Sequence, residues 1–84
     1  MSKLLKDYQV RFVDEYNTLV NRYMKLNHII NLYELDKLDF TPNCPIELLK
    51  EQSDVMWNYI NILLRRSEFE GVELVKIHEG DLYL

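Results

Sequence analysis

The chain has little of what metal sites, disulfide scaffolds and phosphate loops require. Cys44 is the only cysteine among 84 residues, which excludes an intramolecular disulfide and a cysteine-rich zinc site. His28 and His78 are too far apart for any histidine metal motif. Gly71 and Gly80 are the only glycines, so there is no glycine-rich phosphate loop. We therefore expect neither a metal nor a cofactor.

Basic charge and long apolar runs are also scarce. Residues 1–32 carry a net charge of +2 and residues 33–84 a net charge of −6, so a dominant basic face for duplex nucleic acid is missing, although a local pocket for one anion is not excluded. No apolar run is long enough to span a membrane, and nothing resembles a signal peptide. With a free cysteine, these features predict a cytoplasmic protein. Carboxylates are scattered, so we expect no enzyme.

Residues 3–32 contain no glycine or proline and predict the first helix. Its apolar side chains recur every three or four residues, as in a coiled-coil seam. They are Phe12, Tyr16, Leu19, Tyr23, Leu26 and Ile30. Residues 45–70 predict a second helix, because Pro45 suits the first turn of a helix and Gly71 suits its end. Cys44, just before Pro45, has no nearby base or cation, and we interpret it as structural rather than reactive.

The second helix has an apolar arc that one partner helix cannot cover. One row of side chains, which we interpret as the seam of the hairpin, comprises Leu49, Gln52, Met56, Tyr59, Leu63 and Arg66. A second apolar row comprises Leu48, Val55, Ile62 and Phe69. The sequence therefore predicts an all-α fold: an antiparallel two-helix hairpin over residues 1–71 that assembles into an oligomeric helical bundle. Residues 72–84 form a C-terminal tail, and whether it is a strand, a docked arm or disordered stays open.

Two groups of side chains suggest a binding site. A stripe along the first helix, spaced by three and four residues, comprises Tyr8, Arg11, Glu15, Thr18, Arg22 and Lys25. Its cations and ring suit a phosphate and a stacked base, although a solvated flank with ion pairs has the same pattern. Arg65 and Arg66 favour an anion site or, equally, the dipole at a helix end. In an antiparallel hairpin Arg66 would lie near the start of the first helix.

The residues also resemble a known family. The resemblance covers residues 10–74 and rests on the loop LDFTPNCPIELLKEQ and the segment EFEGVEL, together with Glu15, Leu19, Arg22, Lys25, Leu26, Ile29, Met56, Tyr59, Ile62, Leu63 and Arg65. The chain resembles small helical-hairpin proteins of phages and prophages, including crAss-like-phage small proteins. These are similar to the hairpin domain of phage anti-CBASS and anti-Thoeris nucleotide sponges.

The resemblance implies a non-enzymatic oligomer that sequesters a cyclic-nucleotide or cyclic ADP-ribose-type immune signal in the infected bacterial host without cleaving it. Such sponges hold the ligand between protomers, with arginine or lysine on the phosphates and aromatic rings on the bases. Arg22, Lys25 and Arg65 or Arg66 fit the first role and Tyr8 the second, and Arg11 completes the predicted site. The alternatives are a small acidic inhibitor of a host defence protein, like some anti-CRISPR proteins, and a structural phage protein.

Overall fold

The computed structural model describes residues 5–76 as two helices and a short C-terminal arm. Helix α1 spans Asp7–Glu34 and helix α2 spans Ile46–Glu70, with a connector between them. No strand occurs in this part of the chain. Neither helix is sufficiently long and apolar to cross a membrane. The predicted all-α class with two helices is confirmed.

The helix boundaries differ slightly from the prediction. Helix α1 begins at Asp7 rather than at residue 3, because the Gln9 side chain accepts a hydrogen bond from the Lys6 backbone N–H (2.9 Å) and so fixes the first turn there. Helix α2 begins one residue after Pro45. It ends at Glu70 and is capped by Gly71, whose φ of 67° is the left-handed conformation that glycine adopts without strain. Residues 3 and 4, where the first helix was predicted to start, lie outside the described residues.

The contacts between the helices pair the start of α1 with the end of α2. Gln9 donates to the Glu70 carbonyl oxygen (3.5 Å), and further along α1 the ring of Tyr23 stacks on Trp57 with centroids 5.6 Å apart. At the other end the Lys50 ammonium lies 2.5 Å from a Glu34 carboxylate oxygen, and this hydrogen bond raises the pKa of Lys50. The contact pairs thus run in opposite order along the two helices.

The core lies between the helices and under the arm. Its buried members are Phe12, Tyr16, Tyr23, Ile60, Leu63 and Val72. Burial of a side chain such as Ile60 or Leu63, both 0% exposed, contributes about 1.5–3 kcal/mol. The core is small, so each of these side chains carries a large share of the stability.

The seam that α2 presents to α1 differs from the prediction. We call it the inner seam: Leu49, Ser53, Met56, Ile60, Leu63 and Ser67. Two of its members are buried serines that hydrogen-bond within the hairpin, Ser53 Oγ to Asn27 Oδ1 (3.0 Å) and Ser67 Oγ to the Leu64 carbonyl oxygen (2.6 Å). The assignment of Gln52, Tyr59 and Arg66 to the hairpin seam was wrong, since all three are exposed. Small serines let the helices approach where those long side chains would not fit.

The first part of the tail is a docked arm. Val72 is buried, Leu74 packs against the core, and the Tyr16 hydroxyl donates a hydrogen bond to the Val75 carbonyl oxygen (2.5 Å). Burial raises the pKa of the Tyr16 hydroxyl. Residues 72–76 therefore form a docked arm, which is one of the three possibilities left open for the tail. Residues 77–84, which include His78, lie outside the described residues.

Candidate functional site

A groove of about 440 Å³ runs along one flank of α1 beside α2. Its lining residues are Arg11, Asp14, Glu15, Thr18, Leu19, Arg22 and Tyr59. All but Tyr59 come from α1, where spacings of three and four residues put side chains on one side of a helix. Tyr59 reaches the groove from α2 and is 40% exposed. The groove is therefore bounded by both helices, with most of its polar groups on the first.

Two arginines of the groove have no carboxylate partner within ion-pair distance. The ion pairs among residues 5–76 are Lys50–Glu34 and Arg66–Glu70, and neither involves Arg11 or Arg22. These two guanidinium groups are three helical turns apart, and the Thr18 hydroxyl lies between them along the helix. An unpaired guanidinium beside a hydroxyl is a good donor set for a phosphate.

Two carboxylates, Asp14 and Glu15, also line the groove, so its formal charge is balanced. An anion that enters has to approach the arginines while avoiding these acids. The groove therefore favours a ligand with separated anionic groups and a neutral, flat part over a compact polyanion. Tyr59 presents a ring on which such a flat part can stack.

The structure brings together only some of the predicted site residues. Arg11 and Arg22, with Glu15 and Thr18 of the stripe, line the groove. Tyr8 is exposed on α1 near its start and does not line it. Lys25 lines a neighbouring groove of about 450 Å³ with Met24, His28 and Ile29.

The two arginines of α2 do not reach the groove either. Arg65 is exposed and lines none of the grooves described above. Arg66 is paired with Glu70, with Nη2 2.7 Å and Nε 2.8 Å from Oε2, and its guanidinium lies 4.8 Å from the ring centroid of Phe12. The contact with Phe12 agrees with the prediction that Arg66 lies near the start of α1. Within one hairpin, however, Arg66 is engaged with protein groups rather than with a groove.

Three groove residues lie outside the predicted site. Asp14 was not singled out, while Leu19 and Tyr59 were placed on the hairpin seams. A signal for the true position of Tyr59 exists in the sequence. Tyr59 stands seven residues from both Gln52 and Arg66, and these three polar side chains alternate with the second apolar row of α2. That alternation is itself a complete seam on another face of the helix.

No group of histidine, cysteine and carboxylate side chains in the described part of the chain is placed to hold a metal ion. Cys44 is a free, half-buried thiol in the connector, directly before the residue that precedes α2. It is remote in sequence from every groove residue.

A family model describes most of this architecture. The Sequestin model matches residues 6–69, which include α1, the connector, all of α2 except its last residue, and every residue that lines the groove. The chain belongs to the Sequestin family. The match confirms the resemblance to a helical-hairpin family that sequesters its ligand, and the family name denotes binding rather than catalysis. No curated protein and no solved structure matches the chain.

Proposed function

We propose that this Sequestin-family hairpin is a phage counter-defence protein that binds and sequesters a cyclic-nucleotide-type immune signal of CBASS or Thoeris systems without cleaving it. It would act in the cytoplasm of the infected bacterial host as an oligomer of antiparallel hairpins. The observation that carries the proposal is the groove, where Arg11 and Arg22 are unpaired and Tyr59 offers a ring. Cyclic dinucleotides and trinucleotides combine separated phosphates with flat bases, which is the chemistry that this groove favours, whereas cyclic ADP-ribose isomers join a flat base to two adjacent phosphates.

The remaining predicted residues extend the same site. Tyr8 stands three residues before Arg11 and Lys25 three residues after Arg22, so each continues the stripe by about one turn. Tyr8 would stack a second base, and Lys25 would hold a further phosphate. Arg65 and Arg66 would reach a ligand only from another copy of the chain.

The energies indicate that one groove of one hairpin is too weak for this task. Two charge-assisted contacts contribute roughly 1.5–3 kcal/mol each, and stacking of one base contributes about 1–3 kcal/mol. Their sum, about 4–9 kcal/mol, barely reaches micromolar affinity before the cost of association is subtracted. A scarce signal is withheld only by tighter binding, so the proposal requires contacts from a second copy.

Calorimetry on the purified chain tests this function, with a panel of cyclic dinucleotides, cyclic trinucleotides and cyclic ADP-ribose isomers. We expect at least one to bind, and we expect Arg11→Ala or Arg22→Ala to weaken that binding at least about tenfold through loss of a phosphate contact. Lys37→Ala, which removes an exposed cation of the connector, is the matched control and should leave affinity unchanged. The ligand recovered after denaturation of the complex should be chemically intact.

The alternative functions predict other outcomes in the same experiment. If no signal molecule binds and a host defence protein is retained by the chain instead, the chain is an inhibitor of that protein. If the recovered ligand is cleaved, the non-catalytic reading is wrong.

A further inference from the structure

A complete second seam lies on the face of α2 that α1 does not cover. We call it the outer seam: Leu48, Gln52, Val55, Tyr59, Ile62, Arg66 and Phe69. The spacing alternates between four and three residues over its whole length, which is the pattern of a helix that packs on another helix. All seven side chains are exposed in the hairpin, and Phe69 is 91% exposed. The outer seam is as regular as the inner seam, and nothing in residues 5–76 covers it.

The length of the outer seam suits an interface with a second helix. A standard protein–protein interface buries roughly 800 Å² on each partner. The outer seam is about 32 Å long at 1.5 Å per residue, long enough to provide such an interface.

We infer that the outer seam is the interface for a second copy of this chain, with α2 packed antiparallel on α2 of the partner. This dimer closes the open side of the groove at Tyr59. The closure of the groove deepens the proposed function and rests on it, whereas the interface itself does not depend on any ligand.

Charge favours one relative direction of the two helices. The first turns of α2 are net acidic, since Glu47, Glu51 and Asp54 outnumber Lys50, whereas in its last turns Arg65 and Arg66 balance Glu68 and Glu70. A parallel pair in register would place the arginines of one copy beside those of the other, and the acids beside the acids. An antiparallel pair places the arginines of each copy beside the acids of the other, and it also opposes the two helix dipoles favourably.

Tyr59 links the interface to the groove. It is the only residue that both lines the groove and belongs to the outer seam. In an antiparallel pair centred near this residue, Val55 and Ile62 of the second copy flank its ring and form a further wall of the groove. The pairing also brings Arg65 and Arg66 of the second copy close to the first half of α2 of the first copy.

Sedimentation velocity over about 1–200 µM tests the interface without any ligand. We expect the wild type to sediment at twice 10.2 kDa. Ile62→Asp should raise the dimer dissociation constant at least about thirtyfold, because a buried central side chain of an interface is replaced by a charge. Val10→Asp is the matched control: Val10 and Ile62 are each 44% exposed and apolar, but Val10 belongs to α1 and not to the outer seam. Circular dichroism should show that both variants keep their helices.

A charge exchange tests the direction. Glu51→Arg and Arg65→Glu should each weaken the dimer, and the double variant should restore it, as an antiparallel pairing requires. A monomeric wild type at the highest concentration, or equal disruption by Val10→Asp, would overturn the interface; a double variant without rescue would overturn the direction.

Ligand binding is measured separately, so that the two proposals fail separately. A dimer through the outer seam that binds no cyclic nucleotide would refute the proposed function and leave the interface standing. A monomeric Ile62→Asp that binds a nucleotide as tightly as the wild type does would refute the closure of the groove by the second copy.

Discussion

The inner and outer seams of α2 have the same spacing but different side chains, and the difference explains which one α1 covers. The inner seam is apolar except for the small serines Ser53 and Ser67, and both serines are buried. The outer seam has Gln52 and Arg66 beside these serines and Tyr59 beside Ile60, and all three are exposed. Spacing alone therefore finds both seams, while side-chain size and polar pairing decide between them.

The two seams also differ in how the polar groups of their side chains are hydrogen-bonded. Ser53 donates to Asn27, which in turn donates to the Tyr23 carbonyl oxygen (2.8 Å), so a short hydrogen-bonded chain crosses the helix interface. A glutamine or arginine at the same place would need partners for more polar atoms than α1 offers there. The outer seam keeps its long polar side chains because its groups remain in water in the single hairpin.

The largest difference between the seams should appear when one isoleucine of each is truncated. Ile60→Ala removes a side chain that is 0% exposed and should lower the free energy of unfolding by about 2–5 kcal/mol, through lost burial and a cavity. Ile62→Ala, two residues away and 44% exposed, should change it by less than about 0.5 kcal/mol at protein concentrations where the chain is monomeric. Urea denaturation followed by circular dichroism measures both. Equal losses would mean that α1 does not distinguish the seams.

The sequence predicted the helices well because their signals are local. An uninterrupted apolar period in α1, a proline before α2 and a glycine after it gave both elements to within a few residues. The core of α1 was also predicted, since Phe12, Tyr16 and Tyr23 are buried. Each of these features depends on local backbone geometry or on one face of one helix. A short stretch of sequence is therefore enough to predict it.

The site was predicted less completely because it depends on how the two helices are rotated against each other. The stripe included Arg11 and Arg22, which line the groove and share one flank of α1 by spacing alone. The position of Tyr59 depends on which seam of α2 faces α1, and two seams with the same period left that choice open. Arg66 was predicted to contact a ligand, but in the hairpin its guanidinium is paired with the Glu70 carboxylate one turn away on α2. This ion pair explains why Arg66 is not in the groove.

Leucine substitutions at the neighbouring residues Gln52 and Ser53 should have opposite effects, because Ser53 belongs to the inner seam and Gln52 to the outer seam. Ser53→Leu should lower the free energy of unfolding by about 1–3 kcal/mol, because it overfills the helix interface and removes the partner of Asn27. Gln52→Leu adds an apolar side chain to the exposed outer seam and should strengthen self-association instead. Thermal melts at several protein concentrations would separate the two effects. A Ser53→Leu variant as stable as the wild type would show that the inner seam has room to spare.

A smaller effect is expected at Tyr16, which uses its hydroxyl to hold the arm over the core. Tyr16→Phe should lower the free energy of unfolding by about 0.5–1.5 kcal/mol through loss of the hydrogen bond to the Val75 carbonyl. Tyr8→Phe, at an exposed tyrosine of the same helix, is the control and should have no measurable effect.

The same tyrosine gives the hairpin a dependence on alkaline pH. Burial raises the pKa of Tyr16 above 10.0, so the folded state holds this proton more tightly than the unfolded state does. Its contribution is therefore complete below about pH 10 and is lost as the pH rises through the higher folded pKa. Denaturation at increasing alkaline pH should show a steeper fall in stability for the wild type than for Tyr16→Phe. Parallel curves would contradict the burial of this hydroxyl.

The smallest effect is expected at a residue that belongs to neither seam. Cys44 is half-buried in the connector, and no side chain caps the start of α2, so its thiol has no partner whose loss would be costly. Cys44→Ser should change the free energy of unfolding by less than about 0.5 kcal/mol and leave both self-association and nucleotide binding unchanged. Urea denaturation, sedimentation and calorimetry on this variant provide the check. Loss of binding in a folded, dimeric Cys44→Ser would mean that the connector, and not the flank of α1 beside Tyr59, forms the site. The comparison of the two seams would then say nothing about function, because neither seam includes the connector.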